Sequence, residues 1–195
     1  MLSRSDLWSL EDYSEVRSAF RNQVLSHKQH RRVQIGDAMQ LIFEDRLTIK
    51  YQIQEMLRIE KIFEARGIQE ELDAYNPLIP DGDNWKCTLL IQYEDVEERK
   101  QRLTDLLGIE DKIWLQIGGG SRVWPIADED MDRSTDDKTA AVHFIRYQLA
   151  PEDIVVVKSG GAITFGVDHV AYPCNPVQPA DAVRLSLIQD IGQDS

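Results

Sequence analysis

The sequence has few cysteines, no long apolar run and fewer basic than acidic side chains. Its two cysteines, Cys87 and Cys174, are too few and too far apart for a disulfide framework or a Cys-x-x-Cys site. No run of about 18 apolar residues occurs, so the sequence predicts no transmembrane helix and no membrane association. The first ten residues include Arg4 and Asp6 and no apolar core, so we expect no secretory signal. These absences favour a cytoplasmic protein in a reducing compartment.

The charge of the chain is acidic and unevenly distributed. The 195 residues include 34 acidic and 22 basic side chains, which gives a formal net charge of −12. Residues 1–66 carry 11 basic and 10 acidic groups, so the acidic excess lies entirely in residues 67–195. Because an acidic field repels polyanions, we expect no nucleic-acid partner and no anionic membrane surface as a partner.

One local exception is a basic stripe between residues 16 and 32, which holds five basic residues and no acidic one. On a helix that advances about 100° per residue, the members of the stripe share one face. They are Arg17, Arg21, Lys28 and Arg32. The stripe is either a solvated surface near a helix C-terminus or a dock for an acidic partner or for the protein's own acidic half.

The hydrophobic periodicity predicts an α+β fold. Helices are expected over residues 10–30, 45–66, 69–75, 96–107, 151–158 and 183–191. Extended segments are expected over 33–43 in two pieces, 88–93, 113–117, 123–126, 141–149 and 162–169, with a hairpin turn at Gly118-Gly119-Gly120-Ser121. Short strands and tight turns favour N-terminal helices packed on a mostly antiparallel sheet of about five strands.

The same pattern predicts one compact domain over residues 1–175. Its helical part is expected at 1–80 and its sheet part at 86–173. Residues 176–195 are expected to form a C-terminal extension with a short amphipathic helix.

The predicted helix at 45–66 places an acid in an apolar stripe. Ile49, Ile53 and Leu57 lie on one face with Glu60 among them, and a second apolar patch surrounds Tyr51 on the opposite side. A helix that is apolar on both sides is expected to be buried on both sides. A lone buried charge costs several kcal/mol, so a buried Glu60 needs a partner or must be neutral. We therefore expect Glu60 to form a structural ion pair, to bind a metal or to act as a general acid.

All four histidines are predicted to face the core. His143 and His169 lie on strands whose same-face neighbours are apolar, and His27 and His30 continue the apolar side of the first helix. Each one alone is more often a core histidine with satisfied hydrogen bonds than a metal ligand. Together with the inward Glu60 they favour a metal site, and imidazole and carboxylate ligands suit zinc, iron or manganese.

Three motifs that are typical of well-known metal and hydrolase sites are absent from the sequence. It contains no Glu-x-x-His, no His-Glu-x-x-His and no Gly-x-Ser-x-Gly. The acidic loop over residues 128–137 lacks the glycine and the terminal glutamate of an EF-hand, so a solvated loop is expected there. The sequence therefore predicts no particular reaction, and whether the protein is an enzyme stays open.

Several blocks of the sequence are long and distinctive. They are Arg31-Arg32-Val33, Tyr51–Glu60, Gly67–Pro77, Val142–Arg146 and Gly166–His169. Over about residues 15–173 the chain resembles the bacterial family known as domain of unknown function 3501. The resemblance implies no activity. It implies a redox or oxidative-stress setting, because genes of this family lie near rubrerythrin-like and iron–sulfur oxidoreductase genes.

The first functional hypothesis is a cytoplasmic metal-binding or redox-accessory protein. Glu60, His143 and His169 are its predicted metal ligands. Asp168 and Glu55, which lie in the same distinctive blocks, are predicted to complete or orient these ligands.

Two further hypotheses need no metal. In the second, the protein is a non-catalytic interaction module whose acidic half and basic stripe dock an oxidoreductase partner. In the third, it is a metal-free enzyme that uses Glu60 as a general acid, with Arg58 or Arg146 holding an anionic substrate.

Overall fold

The computed structural model describes residues 1–192. Within them the α-helices are α1 (Leu10–Gln29), α2 (Arg46–Glu60), α3 (Ala65–Tyr75), α4 (Val96–Asp105), α5 (Pro151–Lys158) and α6 (Asp181–Gln189). The strands are β1 (Arg32–Ile35), β2 (Met39–Phe43), β3 (Asn84–Ile91), β4 (Ile113–Ile117), β5 (Arg122–Val123), β6 (Ile126–Ala127), β7 (Val142–Gln148) and β8 (Ile163–Val167). None of the described helices has the length and apolar character that crossing a membrane requires.

The strands form two sheets in which all neighbouring strands are antiparallel. The five-stranded sheet has the order β1-β2-β3-β7-β6, and the three-stranded sheet has the order β5-β4-β8. The predicted α+β class with a mostly antiparallel sheet of five strands is confirmed, and the smaller sheet is an addition to it. The strand predicted at 123–126 divides between the two sheets, because Pro125 cannot donate a ladder hydrogen bond.

The main hydrophobic core lies between the two sheets. Every second residue of β3 points into it: Trp85, Cys87, Leu89 and Ile91. α5 and α6 close the core with buried residues that include Val157 and Leu187, and the Trp85 indole N–H donates to the Leu187 backbone oxygen at 2.9 Å. The predicted extension 176–195 thus contributes a helix to this core, and its positions 193–195 lie outside the described residues.

The first three helices form a separate layer with its own apolar clusters. On one side of α2, Ile49, Ile53 and Leu57 pack with residues of α3. On its other side, Leu47 and Tyr51 pack against buried residues of α1. The prediction that this helix is buried on both sides is confirmed.

α2 ends at Glu60 instead of continuing to Gly67. Lys61 adopts the left-handed conformation with φ of 55°, and the Ile62 backbone N–H donates to the Leu57 carbonyl at 2.9 Å. This is the hydrogen bonding of a Schellman ending, in which an apolar residue after the helix packs back on its last turn. Ile62 packs on the cluster that contains Leu57, so hydrophobic contact ends the helix early. Gly67, predicted to end the helix, lies inside α3.

Candidate functional site

Glu60 is exposed at the C-terminal end of α2. Its predicted position inside a buried apolar stripe is wrong, because the helix stops there and the chain turns away at Lys61. Ile59 and Phe63, which a longer helix would place in the same stripe, are 61% and 70% exposed. Glu60 therefore lacks the burial on which its predicted role as a metal ligand or general acid depends.

Glu55 joins α1 to α2 through an ion pair. The Arg17 guanidinium donates to both carboxylate oxygens at 2.8 Å, and the Tyr13 hydroxyl donates to Oε1 at 2.7 Å. The hydrogen bonds from Arg17 lower the pKa of Glu55 to about 2, although burial acts in the opposite direction. Arg58 adds a longer contact of 3.5 Å. These groups hold two helices together, which differs from the predicted role of Glu55 beside a metal and of Arg58 on a substrate.

His143 is fully buried and is surrounded by polar side chains. We call the group the His143 cluster, and its members are His143, Asp128, Glu110, Thr139 and Ser134. Its Nδ1 lies 2.6 Å from Asp128 Oδ2, and its Nε2 lies 2.8 Å from Thr139 Oγ1. The Thr139 and Ser134 hydroxyls donate to the two oxygens of Glu110 at 2.9 and 2.6 Å. The prediction that His143 faces inward is therefore confirmed.

Both nitrogens of the His143 ring have oxygen partners within the chain. Nδ1 faces the Asp128 carboxylate and Nε2 faces the Ala140 carbonyl oxygen at 3.0 Å, and both partners only accept hydrogen bonds. Burial acts to raise the pKa of Glu110, but hydroxyl donors and the His143 charge hold it below its usual value. Arg133 lies 3.1 Å from Asp128 and pairs more closely with Asp130, at 2.5 Å. Because oxygens of the chain contact both ring nitrogens, neither nitrogen is free to bind a metal ion in this arrangement.

His169 is partly buried, and both of its ring nitrogens have backbone partners. Nε2 donates to the Leu107 carbonyl and Nδ1 accepts from the Ala171 N–H, each at 3.2 Å. Across residues 1–192, no group of three or more His, Cys, Asp and Glu side chains is placed to hold a metal ion. The structure does not bring Glu60, His143 and His169 together as one ligand set, and binding of zinc, iron or manganese stays a prediction.

Arg146 and Asp168, the remaining predicted site residues, lie near the surface with other partners. The Arg146 guanidinium donates to both carboxylate oxygens of Glu129 at 2.7 and 2.6 Å. The Asp168 side chain is 66% exposed and lies 3.9 Å from Arg122. Arg146 is thus already paired with a carboxylate of the chain. This pairing leaves fewer of its N–H donors for the anionic substrate predicted from the sequence.

Just after the end of α1, the buried residue is Arg31, and the neighbouring histidine is exposed. His30 is exposed, so the prediction that it faces the core is wrong, while the half-buried His27 has its Nε2 2.5 Å from Asp45 Oδ2. Arg31 is 1% exposed and lies 2.5 Å from Asp190 and 3.4 Å from Asp45. The sequence pattern pointed to the two histidines, whereas the structure places Arg31 at the centre of the charged groups.

A groove lies between the helical layer and the outer face of the five-stranded sheet. We call it the seam groove, and its volume is about 290 Å³. Its floor is formed by Ile42, Leu90 and Phe144 of three adjacent strands, and Ile49 and Leu78 of the helical layer lie above them. The groove follows the boundary between the main core and the separate clusters of the helices. Boundaries between packed units are frequent locations of ligand sites.

Glu44 is the acid in the seam groove, and it is only 7% exposed. Its Oε2 accepts a hydrogen bond from the Thr48 hydroxyl at 2.6 Å, and its Oε1 accepts one from the Thr88 hydroxyl at 2.7 Å. Among the described residues, no Lys, Arg or His nitrogen lies within 4.0 Å of this carboxylate. Within the part of the chain that the structure describes, Glu44 therefore lacks a counter-ion, and burial of an unpaired carboxylate is costly.

Lys28 lines the same groove from the last turn of α1 and is half-buried. In the part of the chain that the structure describes, no carboxylate oxygen lies within 4.0 Å of its ammonium group. One groove therefore contains two opposite charges, Glu44 and Lys28, that do not pair with each other.

Sequence reasoning missed Glu44, although one signal for it is present. The alternation of β2 puts Leu41 and Phe43 on one face and Ile42 and Glu44 on the other. An acid that continues an apolar strand face is a candidate for burial if that face is covered. Coverage of this face by α2 is a tertiary contact, and the local pattern does not reveal it.

The whole chain is similar to other proteins. The family model described as protein of unknown function (DUF3501) matches residues 1–191. The chain is also similar to the crystal structure of a novel protein of unknown function from Burkholderia pseudomallei, with 46% identity and a TM-score of 0.93. That similarity covers 97% of this chain and 98% of the other. None of the curated proteins matches the chain. From these matches, the chain belongs to the DUF3501 family of proteins of unknown function.

Proposed function

We propose that this protein binds a small organic molecule in the seam groove. The observation that carries the proposal is an apolar-walled groove of about 290 Å³ that contains the buried carboxylate of Glu44. Small-molecule sites are typically mostly apolar, have a few polar groups and enclose about 300–1,000 Å³. At about 290 Å³ the seam groove lies just below that range, so only a ligand of modest size fits it.

The energetics of packing support an occupant for the groove. Protein interiors are close-packed, and apolar side chains that line a void lose contact energy with the atoms that would fill it. Ile49 and Leu78 lie above Ile42 and Leu90 without closing the space between them. A ligand that fills this space would restore the missing contacts.

Filling the groove tests the proposal. Leu90→Phe adds a ring to the floor, while Val170→Phe adds the same ring at a position that is 96% exposed. Hexanol serves as an uncharged apolar probe, and binding is followed by amide NMR chemical shifts. We expect saturable shifts at groove residues in the wild type and in Val170→Phe, and their loss in Leu90→Phe.

Folding of both variants is checked by thermal melting. If Leu90→Phe binds hexanol as the wild type does, or if neither hexanol nor a charged six-carbon compound shifts groove amides in the wild type, the groove is not a ligand site.

The metal-binding or redox-accessory function predicted from the sequence has less support. Both nitrogens of His143 are in contact with oxygens of the chain, and Glu60 is exposed. The exposure of Glu60 also weakens its proposed role as the general acid of a metal-free enzyme. Metal analysis of protein purified without an affinity tag, before and after His143→Ala, tests the first of these functions.

Docking of an acidic partner protein, of the redox type predicted from the sequence, is a second candidate function. One observation favours it: within residues 1–192, Arg21, Lys28 and Arg32 of the basic stripe have no carboxylate within 4.0 Å, whereas Arg17 is paired with Glu55. Free cations on one surface attract an acidic protein, and the attraction weakens in salt. Binding to an acidic oxidoreductase should fall at high salt and in Arg21→Gln/Arg32→Gln, and salt-independent binding would reject electrostatic docking.

A further inference from the structure

We infer that the ligand of the seam groove is a zwitterion with an apolar body, whose ammonium group pairs with Glu44 and whose anionic group pairs with Lys28. This inference rests on the proposed function and adds the chemical class of the ligand. It follows from the two charges of the groove, from their different burial and from the apolar surface between them.

The ammonium end of the ligand is assigned by Glu44. Each of its carboxylate oxygens accepts one hydrogen bond, from Thr48 or from Thr88, and each has capacity for another. Neutral hydroxyls satisfy part of the hydrogen bonding but supply no positive charge. An ammonium group has three donors and a full positive charge, so it supplies both the missing hydrogen bonds and the counter-ion.

The anionic end is assigned by Lys28. Its ammonium group lines the groove without a carboxylate partner among the described residues. Glu44 lies in the same groove but more than 4.0 Å from it, so the chain does not join the two charges directly. A ligand with opposite charges at its two ends pairs with both at once.

The orientation of the ligand follows from burial. Glu44 is 7% exposed, whereas Lys28 is half-buried, so the acid is the more buried of the two charges. The apolar floor of Ile42, Leu90 and Phe144 belongs to the same groove. The ammonium end therefore points inward, the anionic end points toward solvent and the body lies on the apolar floor.

Four six-carbon probes test this assignment in the wild-type protein: hexanol, hexylamine, hexanoate and ε-aminohexanoate. Affinities are measured from the shifts of groove amides in NMR titrations. We expect ε-aminohexanoate to bind most tightly and hexylamine to bind about tenfold more tightly than hexanol, since charge-assisted hydrogen bonds exceed neutral ones. Hexanoate alone is expected to bind more weakly than hexylamine, because Glu44 repels its carboxylate.

Two variants test the two ends of the ligand one at a time, and each variant has a matched control at an exposed position. Glu44→Gln should remove the preference for hexylamine over hexanol, and Glu15→Gln, at an exposed acid of α1, should keep it. Lys28→Gln should remove the advantage of ε-aminohexanoate over hexylamine, and Lys100→Gln, at an exposed lysine of α4, should keep it. The comparison among probes in the wild type still decides the question if Glu44→Gln does not fold.

The outcomes distinguish this inference from the proposed function. Hexanol binding with no preference for amines, or an amine preference that Glu44→Gln retains, overturns the zwitterion and leaves small-molecule binding in place. If hexylamine binds tightly and ε-aminohexanoate binds no more tightly than hexylamine, the role of Lys28 is overturned. If none of the four probes shifts groove amides, the proposed function fails as well.

Discussion

At the residue scale, the buried and half-buried carboxylates of this protein differ in what balances their charge. Glu55 has the Arg17 guanidinium and a tyrosine hydroxyl, and Glu110 has two hydroxyls with the His143 ring nearby. Glu44 has two hydroxyls and, among the described residues, no cationic nitrogen within 4.0 Å of its carboxylate. These differences matter because a paired acid stabilises the fold, whereas an unpaired one is available to a ligand.

Glu55→Gln is expected to lower the free energy of unfolding by about 2 kcal/mol at neutral pH, because hydrogen bonds to charged groups contribute about 1.5–3 kcal/mol. The folded pKa of Glu55, about 2, lies below its ordinary value of 4.5. Its charge therefore stabilises the fold above pH 4.5, and that contribution is lost as the pH falls toward 2. Urea denaturation across this range should show the difference between wild type and variant shrinking.

The control for this experiment is Glu15→Gln, which changes an exposed acid on the same helix. It should alter the unfolding free energy by less than about 0.5 kcal/mol at any pH. A gap between the wild type and Glu55→Gln that stays constant from neutral pH to acid contradicts the assignment of the ion pair.

At the scale of elements, local pattern predicted the types of most helices and strands but not all of their ends. α5 occupies Pro151–Lys158, as predicted, because Pro at the first helical position and glycines after the last are local signals. α2 ends early because Ile62 packs back on the apolar cluster of the helical layer. That contact depends on α3, and the periodicity of α2 itself continues past Glu60.

Lys61→Gly is expected to raise the free energy of unfolding by about 0.5–1 kcal/mol. Lys61 has φ of 55°, a conformation that is unfavourable for residues with a Cβ atom and free of that strain for glycine. Gln23→Gly, at an exposed position inside α1, should lower it by about 1 kcal/mol, because glycine is a poor helix former. Chemical denaturation of both variants tests this opposition of sign, and destabilisation by both would refute it.

At the scale of the whole molecule, Arg31 joins parts of the chain that are distant in sequence. Its guanidinium donates to the backbone oxygens of Phe43 and Glu44 at 2.8 and 3.0 Å, and to Asp190 at 2.5 Å. One buried cation thus links the β1–β2 hairpin to the segment after α6. Burial raises the pKa of Asp190, whereas Arg31 acts to lower it. Arg31 therefore stabilises the charged form of this carboxylate.

Arg31→Met is expected to lower the free energy of unfolding by about 3–5 kcal/mol, because it leaves Asp190 as a buried charge without its main partner. Asp190→Asn should cost about 1–2 kcal/mol, since Arg31 keeps its two backbone oxygens and lies 3.4 Å from Asp45. Urea denaturation measures both values. Equal costs for the two variants would mean that Arg31 is not the centre of this contact.

The sequence by itself determined the α+β class, most of the elements and the family, because hydrophobic periodicity, turn residues and distinctive sequence blocks are local properties of a chain. It also predicted that His143 faces inward, although the same prediction was wrong for His30. Only the tertiary structure decided which charges meet. Glu60 turned out exposed, and Glu44 and Lys28 came to share a groove, because those outcomes depend on which helix covers which face of a sheet. Periodicity shows that a face is apolar, but it carries no information about the distant segment that covers it.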